Sequence, residues 1–218
     1  MDGGPGPDPT FGAARISVSP RRTAALARLA RRHDISFNSL LSGLIAAAVH
    51  PFLDPADEPA SVQCRIAVDM RRRLRPPLPD EVVQSAASGI PVRLQLGMDA
   101  DPVTLGREVA QAIHKGLAEE LAERELAAFV HMLQQRPPTL GITGLGRIAP
   151  PELPAGVAVT GLRVLPVTHL PLPFVAYSRF GPALGIDIPF SRAWFADGDI
   201  EDFASALREL IEKNTVDR

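Results

Sequence analysis

The residues best placed to do chemistry close one alternating stretch, Val62 to Arg71 (VQCRIAVDMR). Val62, Cys64, Ile66, Val68 and Met70 are apolar on every second position, while Gln63, Arg65, Asp69 and Arg71 share the other parity with Ala67. Side chains alternate across a β-strand, so one set is buried and an Asp and an Arg stand on the opposite face near the strand's C-terminal end, a position suited to a site. The same two charges, two residues apart on one face, could instead pair with each other or with neighbours in solvent, at little gain in stability. Histidine is the other obvious source of a general base or a metal ligand. His33, His50, His114, His131 and His169 never stand at metal-ligand spacing from one another, which argues against a zinc site. Of the five, His169 (VTHLPLP) is the one placed in a loop before a strand, where loops gather; a lone loop histidine can serve structure as readily as catalysis.

The rest of the chain must position these residues. Met1 to Gly12 is rich in Gly, Pro and Asp and reads as a flexible tail or linker, leaving residues 13–218 as one folded unit. Arg15 to Val18 reads as a short strand. Ser19-Pro20 then offers an N-cap and a first-turn proline for a helix to about Arg32, with arginines around its outer face. A second helix starts at Ser36 (SFNSLLSGLIAAAV) and is apolar enough to be mostly buried; it lacks the charge a DNA-reading helix needs. After Arg71 the chain turns basic and proline-rich (RRRLRPPLPDE), and Ile90 to Leu96 reads as a strand. Asp101-Pro102 opens a helical region to about Gln135 whose apolar stripe changes phase across Ala122 to Glu125, predicting two helices or a bend. Thr139 to Ile148, Val157 to Leu165, Phe174 to Arg179 and Ala183 to Phe190 are predicted strands, the last two forming a hairpin, and an acidic first turn at Asp197 opens the closing helix. This order predicts an α/β fold, a two-layer mixed sheet with helices.

Composition excludes several classes. With 23 Lys and Arg against 25 Asp and Glu, the net charge of −2 does not favour a polyanion partner, so no nucleic acid is expected. Cys64 is the single cysteine, so neither a disulfide nor a cysteine metal cage can form within the chain. No apolar run is long enough for a membrane span, and MDGGPGPDPT lacks the features of a signal peptide; a cytoplasmic location is expected. There is no nucleophile elbow, phosphate loop or dinucleotide fingerprint; Gly141, Gly144 and Gly146 fit none of these spacings.

The SFNSLLSGLIAAAV helix, the strand ending VDMR, the long helix, the ITGLGRI strand, the hairpin ending LGIDIPF and the amphipathic last helix, in this order, resemble a known arrangement. From about Arg15 to Lys213 the chain is similar to the C-terminal lobe of the chloramphenicol acetyltransferase-like superfamily. That superfamily includes condensation domains of nonribosomal peptide synthetases, polyketide-associated acyltransferases of mycobacterial type and alcohol acetyltransferases. The resemblance implies an acyltransferase of two facing lobes, in which an HHxxxDG motif of the N-terminal lobe supplies the catalytic base. This chain contains no His-His pair, and its counterpart to the family's DFGWG stretch, Ile186 to Trp194, reads IDIPFSRAW. It therefore looks like the second lobe alone, nearer the stand-alone acyltransferases, and inactive without a partner lobe carrying HHxxxDG.

The resemblance implies further roles. Arg71 would lie near the lobe interface with Asp69 beside it, and Thr143 and Gly144 would face the tunnel, where Thr143 could help hold the thioester oxyanion. Arg71, Arg72 and Arg73, with Arg75, would receive the phosphate of a pantetheine arm or an acidic acyl carrier protein. Acyl-CoA or a phosphopantetheine thioester would be a substrate rather than a tightly bound cofactor. The alternative is a non-catalytic module that binds a carrier protein or an acyl chain. A lobe without its partner would expose an apolar face, so self-association into a homo-oligomer is also expected.

Overall fold

The computed structural model describes residue 6 and residues 8–53, 59–79, 81–128, 138–167 and 170–216. The elements run β1 (Phe11–Val18), α1 (Pro20–Arg32), α2 (Phe37–Val49), β2 (Ala60–Asp69), β3 (Ala87–Leu96), α3 (Pro102–Ala118), α4 (Leu121–Ala127), β4 (Leu140–Ile148), β5 (Phe174–Phe180), β6 (Ala183–Ser191) and α5 (Asp197–Lys213). One six-stranded sheet has the order β1-β6-β5-β4-β2-β3. β4 is parallel to both neighbours, β2 and β5, and the outer pairs are antiparallel, so the sheet is mixed. The two-layer α/β architecture is the one the order of elements predicts.

Local chemistry sets the helix starts. Ser19 Oγ accepts the Arg22 N–H at 3.4 Å, Ser36 Oγ the Ser39 N–H at 2.9 Å and Asp101 Oδ2 the Thr104 N–H at 2.9 Å, each satisfying a donor that the helix leaves unpaired. Pro20 and Pro102 occupy the first turn, where a missing N–H costs nothing. The apolar faces of the helices meet the apolar parity of the strands in one core that includes Leu26, Leu40, Leu44, Ile66, Leu94, Ile142, Ile186 and Leu207. Cys64 lies in it, and burial pushes its thiol up to about 12. α2 is almost wholly buried, and no single helix among the described residues is long and apolar enough to cross a membrane. α2 and α3 cross at backbone contact: a Cβ on Gly106 would lie 2.9 Å from Ser39 O, and one on Gly43 would strike Pro102 O.

Several boundaries differ from expectation. β1 begins at Phe11, and β2 ends at Asp69, leaving Arg71 beyond the strand. The α3–α4 break falls at Glu119 and Glu120, the latter at φ +53, ahead of the expected phase change. Val157 to Leu165, read as a strand, belongs to no ladder among the described residues; its one backbone hydrogen bond there runs from the Val157 N–H to Pro154 O at 3.1 Å. Its β-branched composition favours a strand, but strand structure needs a neighbour to supply hydrogen bonds, and no described strand pairs with it.

Gly106→Ala should cost about 1–3 kcal/mol, because either α2 or α3 must shift; thermal unfolding checks this. In the folded protein Cys64 should resist iodoacetamide at pH 8 and react only once the chain unfolds. Its raised pKa makes its contribution to stability complete below the unfolded thiol's value of 9.0. That contribution falls progressively as pH rises from there toward about 12.

Candidate active-site face

The helices pack on the buried parity of the strands, and Asp69 of β2 and Thr143 of β4 stand on the opposite parity. Strand register puts Thr143 of β4 beside Ala176 of β5, Ala176 beside Asp187 of β6, and Asp187 beside Arg15 of β1. These four residues form one row across the open face. Thr143 and Asp187 are two strands apart, about 10 Å, with only an alanine methyl between them. The Asp187 side chain is 5% exposed. Its Oδ1 accepts from Arg15 Nη1 at 3.3 Å and from Arg163 Nε at 3.0 Å, and its Oδ2 accepts the Val164 N–H at 3.0 Å. A buried carboxylate requires such compensation, and here the chain between β4 and β5 delivers it by crossing over the face. We call residues 157–167 the strap.

β2 and β4 pair only over Cys64–Ile66 and Leu140–Ile142. Beyond those residues their C-terminal ends are unpaired with each other, and Thr143 stands at the fork, half-buried, its hydroxyl without a partner among the described residues. In open α/β sheets a ligand binds beyond the carboxyl ends of the strands. Gly144 is exposed at the same fork for a packing reason: a Cβ there would lie 2.6 Å from the Tyr177 ring. The β4 register then shifts between Gly144 and Arg147, with Gly146 at φ +71.

The basic loop after β2 separates into two kinds of arginine. The Asp69 carboxylate accepts the Arg71 N–H at 2.9 Å. The Arg71 guanidinium donates to three carbonyls, Pro79 O, Val82 O and Gln84 O, each at 2.9 Å, and so organises the loop from within. Arg73 donates to Glu123 Oε1 and to Leu117 O at the end of α3, both at 2.9 Å, fastening the loop to the helices. Burial works to raise the Glu123 pKa, but its own backbone N–H and Arg73 hold it below the usual carboxylate range. Arg72 and Arg75 are exposed and have no partner among the described residues. They line an open cleft of about 670 Å³ with Pro76, Pro77, Glu120 and Glu123.

Of the residues singled out in the sequence, Asp69, Arg71, Arg72 and Arg73 thus lie together, and Thr143 and Gly144 sit at the β2–β4 fork. His169 and His131 lie outside the described residues. Among the described residues no group of His, Cys, Asp and Glu could hold a metal ion. Sequence reasoning passed over the Asp187 cluster; its one signal was an aspartate inside the apolar run LGIDIPF.

Arg71→Lys should loosen residues 79–84, because one ammonium cannot span three carbonyls. We expect about 2 kcal/mol lost, with faster amide exchange in that loop, against under about 0.5 kcal/mol for Arg72→Ala.

The model of the phthiocerol/phthiodiolone dimycocerosyl transferase C-terminus family matches residues 7–181. No curated protein sequence matches the chain. Among solved structures, polyketide synthase associated protein 5 from Mycobacterium tuberculosis is 17% identical with a TM-score of 0.68, covering 98% of this chain and 54% of that one. TRI3 trichothecene 15-O-acetyltransferase from Fusarium sporotrichioides is 11% identical with a TM-score of 0.76, covering 96% and 48%. The first condensation domain of the CDA synthetase is 16% identical with a TM-score of 0.66, covering 99% and 47%. These likenesses share the fold, and the chain spans about half the length of the structures it matches. A family match over most of the sequence and a fold shared with half of each of these structures agree, and the chain belongs to the phthiocerol/phthiodiolone dimycocerosyl transferase C-terminus family, with the fold of one lobe of condensation-domain-like structures.

Proposed function

We propose that the protein is the C-terminal half of a thioester-dependent acyltransferase, moving an acyl group from coenzyme A or a carrier's phosphopantetheine to an alcohol or amine in the cytoplasm. The observation that carries this reading is the open sheet face. A Thr143 hydroxyl with no partner among the described residues stands at the β2–β4 fork, on a fold that occupies about half of each of the three structures above. The chain has no His-His pair, so the catalytic base comes from a complementary half bearing HHxxxDG. Thr143 then hydrogen-bonds the thioester oxygen as negative charge develops on it, a stabilisation that is strongest where water is excluded. Arg72 and Arg75, which the fold leaves uncommitted, receive the pantetheine phosphate or an acidic carrier surface, while Arg71 and Arg73 hold their loop in place. Lipid or polyketide assembly would supply such thioesters.

One observation favours a second reading, a non-catalytic carrier-binding module. The cleft beside Arg72 and Arg75 is built by this chain alone and needs no other half.

The test follows thiol release from short and medium acyl-coenzyme A with a mixed alcohol and amine pool. The purified chain is assayed alone and with the separately expressed amino-terminal half of polyketide synthase associated protein 5. The proposal expects no turnover alone and turnover on addition. Turnover by the chain alone would overturn it. Absence of turnover in both, with saturable carrier binding, would favour the second reading. In the reconstituted enzyme Arg72→Glu with Arg75→Glu should raise the KM for donor at least about tenfold and leave kcat within about twofold.

A further inference from the structure

Asp187 does not exhaust the two arginines around it. Arg15 Nη1 and Arg163 Nε both donate to its Oδ1, so each guanidinium keeps donors that the carboxylate does not use. No other acidic side chain among the described residues pairs with either arginine, and two cations against one anion leave a single positive charge. Beside them the sheet leaves room. Gly185 lies two residues before Asp187 on the same parity of β6, with Ser178 of β5 and Ser17 of β1 as its register partners. Arg15 Nη2 stands 3.3 Å from where a Cβ on Gly185 would be, so the guanidinium leans over the glycine. Ser178 is 5% exposed, yet its hydroxyl has no partner among the described residues. A buried hydroxyl left unbonded costs free energy, and an unbalanced positive charge next to it favours an anion that both can hold.

We propose that the space over Gly185, between Ser178, Arg15 and Arg163, binds a carboxylate, and that the acceptor alcohol or amine carries it. The inference rests on the acyltransferase reading above and names its acceptor class. One net positive charge matches a carboxylate monoanion better than a phosphate dianion, and guanidinium and hydroxyl together give it charge-assisted bonds. Position assigns it to the acceptor. Thr143 is the register partner of Ala176, and Ser178 follows Ala176 by two residues, about 7 Å further toward the carboxyl end of β5. β5 borders one side of β4, while Arg72 and Arg75, proposed for the donor's phosphate, follow β2 on the other side. Two anion sites thus flank the hydroxyl proposed for the thioester oxygen, one for each substrate. Asp187 is a positioning residue: it holds both guanidiniums beside the glycine and sets their surplus at one charge.

3-Hydroxybutyrate and its methyl ester, which differ in the carboxylate, are the probes. They are titrated into the isolated chain and followed by its amide and arginine Nε resonances. The acid should shift Ser178, Gly185, Arg15 and Arg163 saturably with a Kd of about 1–10 mM, and the ester should bind at least about tenfold more weakly. Ser178→Ala should weaken binding of the acid at least about threefold, and Arg15→Gln at least about tenfold. Ser178→Ala removes one hydroxyl only, so it decides the matter if Arg15→Gln, which uncovers Asp187, fails to fold. Equal binding of acid and ester, shifts confined to Arg72 and Arg75, or unchanged binding by Ser178→Ala overturns the proposal. In the reconstituted enzyme, with acetyl-coenzyme A as donor, kcat/KM for the acid should exceed that for the ester at least about tenfold. With butanol as acceptor, a like preference for succinyl- over butyryl-coenzyme A would put the carboxylate on the acyl group and overturn the acceptor assignment. Turnover without preference for the acid would remove this inference and leave the acyltransferase reading intact. Saturable binding of the acid at Ser178 without turnover would keep the carboxylate site and remove that reading.

Discussion

A single buried carboxylate organises the side of the molecule on which function is read. Asp187 stands in the middle of β6, on the face the helices do not cover, yet it is withdrawn from water. A charge in that position is tolerated only when donors replace the lost hydration, and removing one partner of such a group costs several times what an exposed pair is worth. Arg15 comes from the neighbouring strand. The other two donors, Arg163 Nε and the Val164 N–H, come from the strap. Compensating Asp187 therefore draws residues 157–167 across the sheet and fixes where the open face ends.

The arginines obey the same logic at a second place. A cluster of basic residues in sequence suggests a single electropositive patch, but a guanidinium has five donors and is readily consumed by backbone carbonyls. Arg71 gives its donors to three carbonyls of its own loop and Arg73 caps the end of α3, leaving Arg72 and Arg75 without a partner among the described residues. The two arginines that scaffold the loop hold the other two at the mouth of the cleft.

Much of the fold was legible because local and tertiary preferences agree. Ser19-Pro20, Ser36 and Asp101-Pro102 mark helix starts by chemistry that acts within one turn. The strict alternation of Val62 to Met70 could serve nothing but a half-buried strand. The failures have a common cause, long-range pairing. Val157 to Leu165 has strand composition without a strand partner, and Asp187 became recognisable only when register put it beside Arg15 and the strap brought Arg163. At the site, the proximity of Asp69 to Arg71–Arg73 follows from sequence adjacency. The fork that exposes Thr143 depends on where β2 and β4 stop pairing, which no local pattern encodes.

Asp187 and Arg163 form the link that holds the strap to the sheet. A double-mutant cycle in the isolated chain, comparing Asp187→Asn, Arg163→Ala and both together by denaturant unfolding, measures it directly. With Arg163 48% exposed, solvent screening reduces the coupling, and about 1 kcal/mol is expected. Additive effects, with coupling under about 0.3 kcal/mol, would show that this pair does not hold the strap to the sheet.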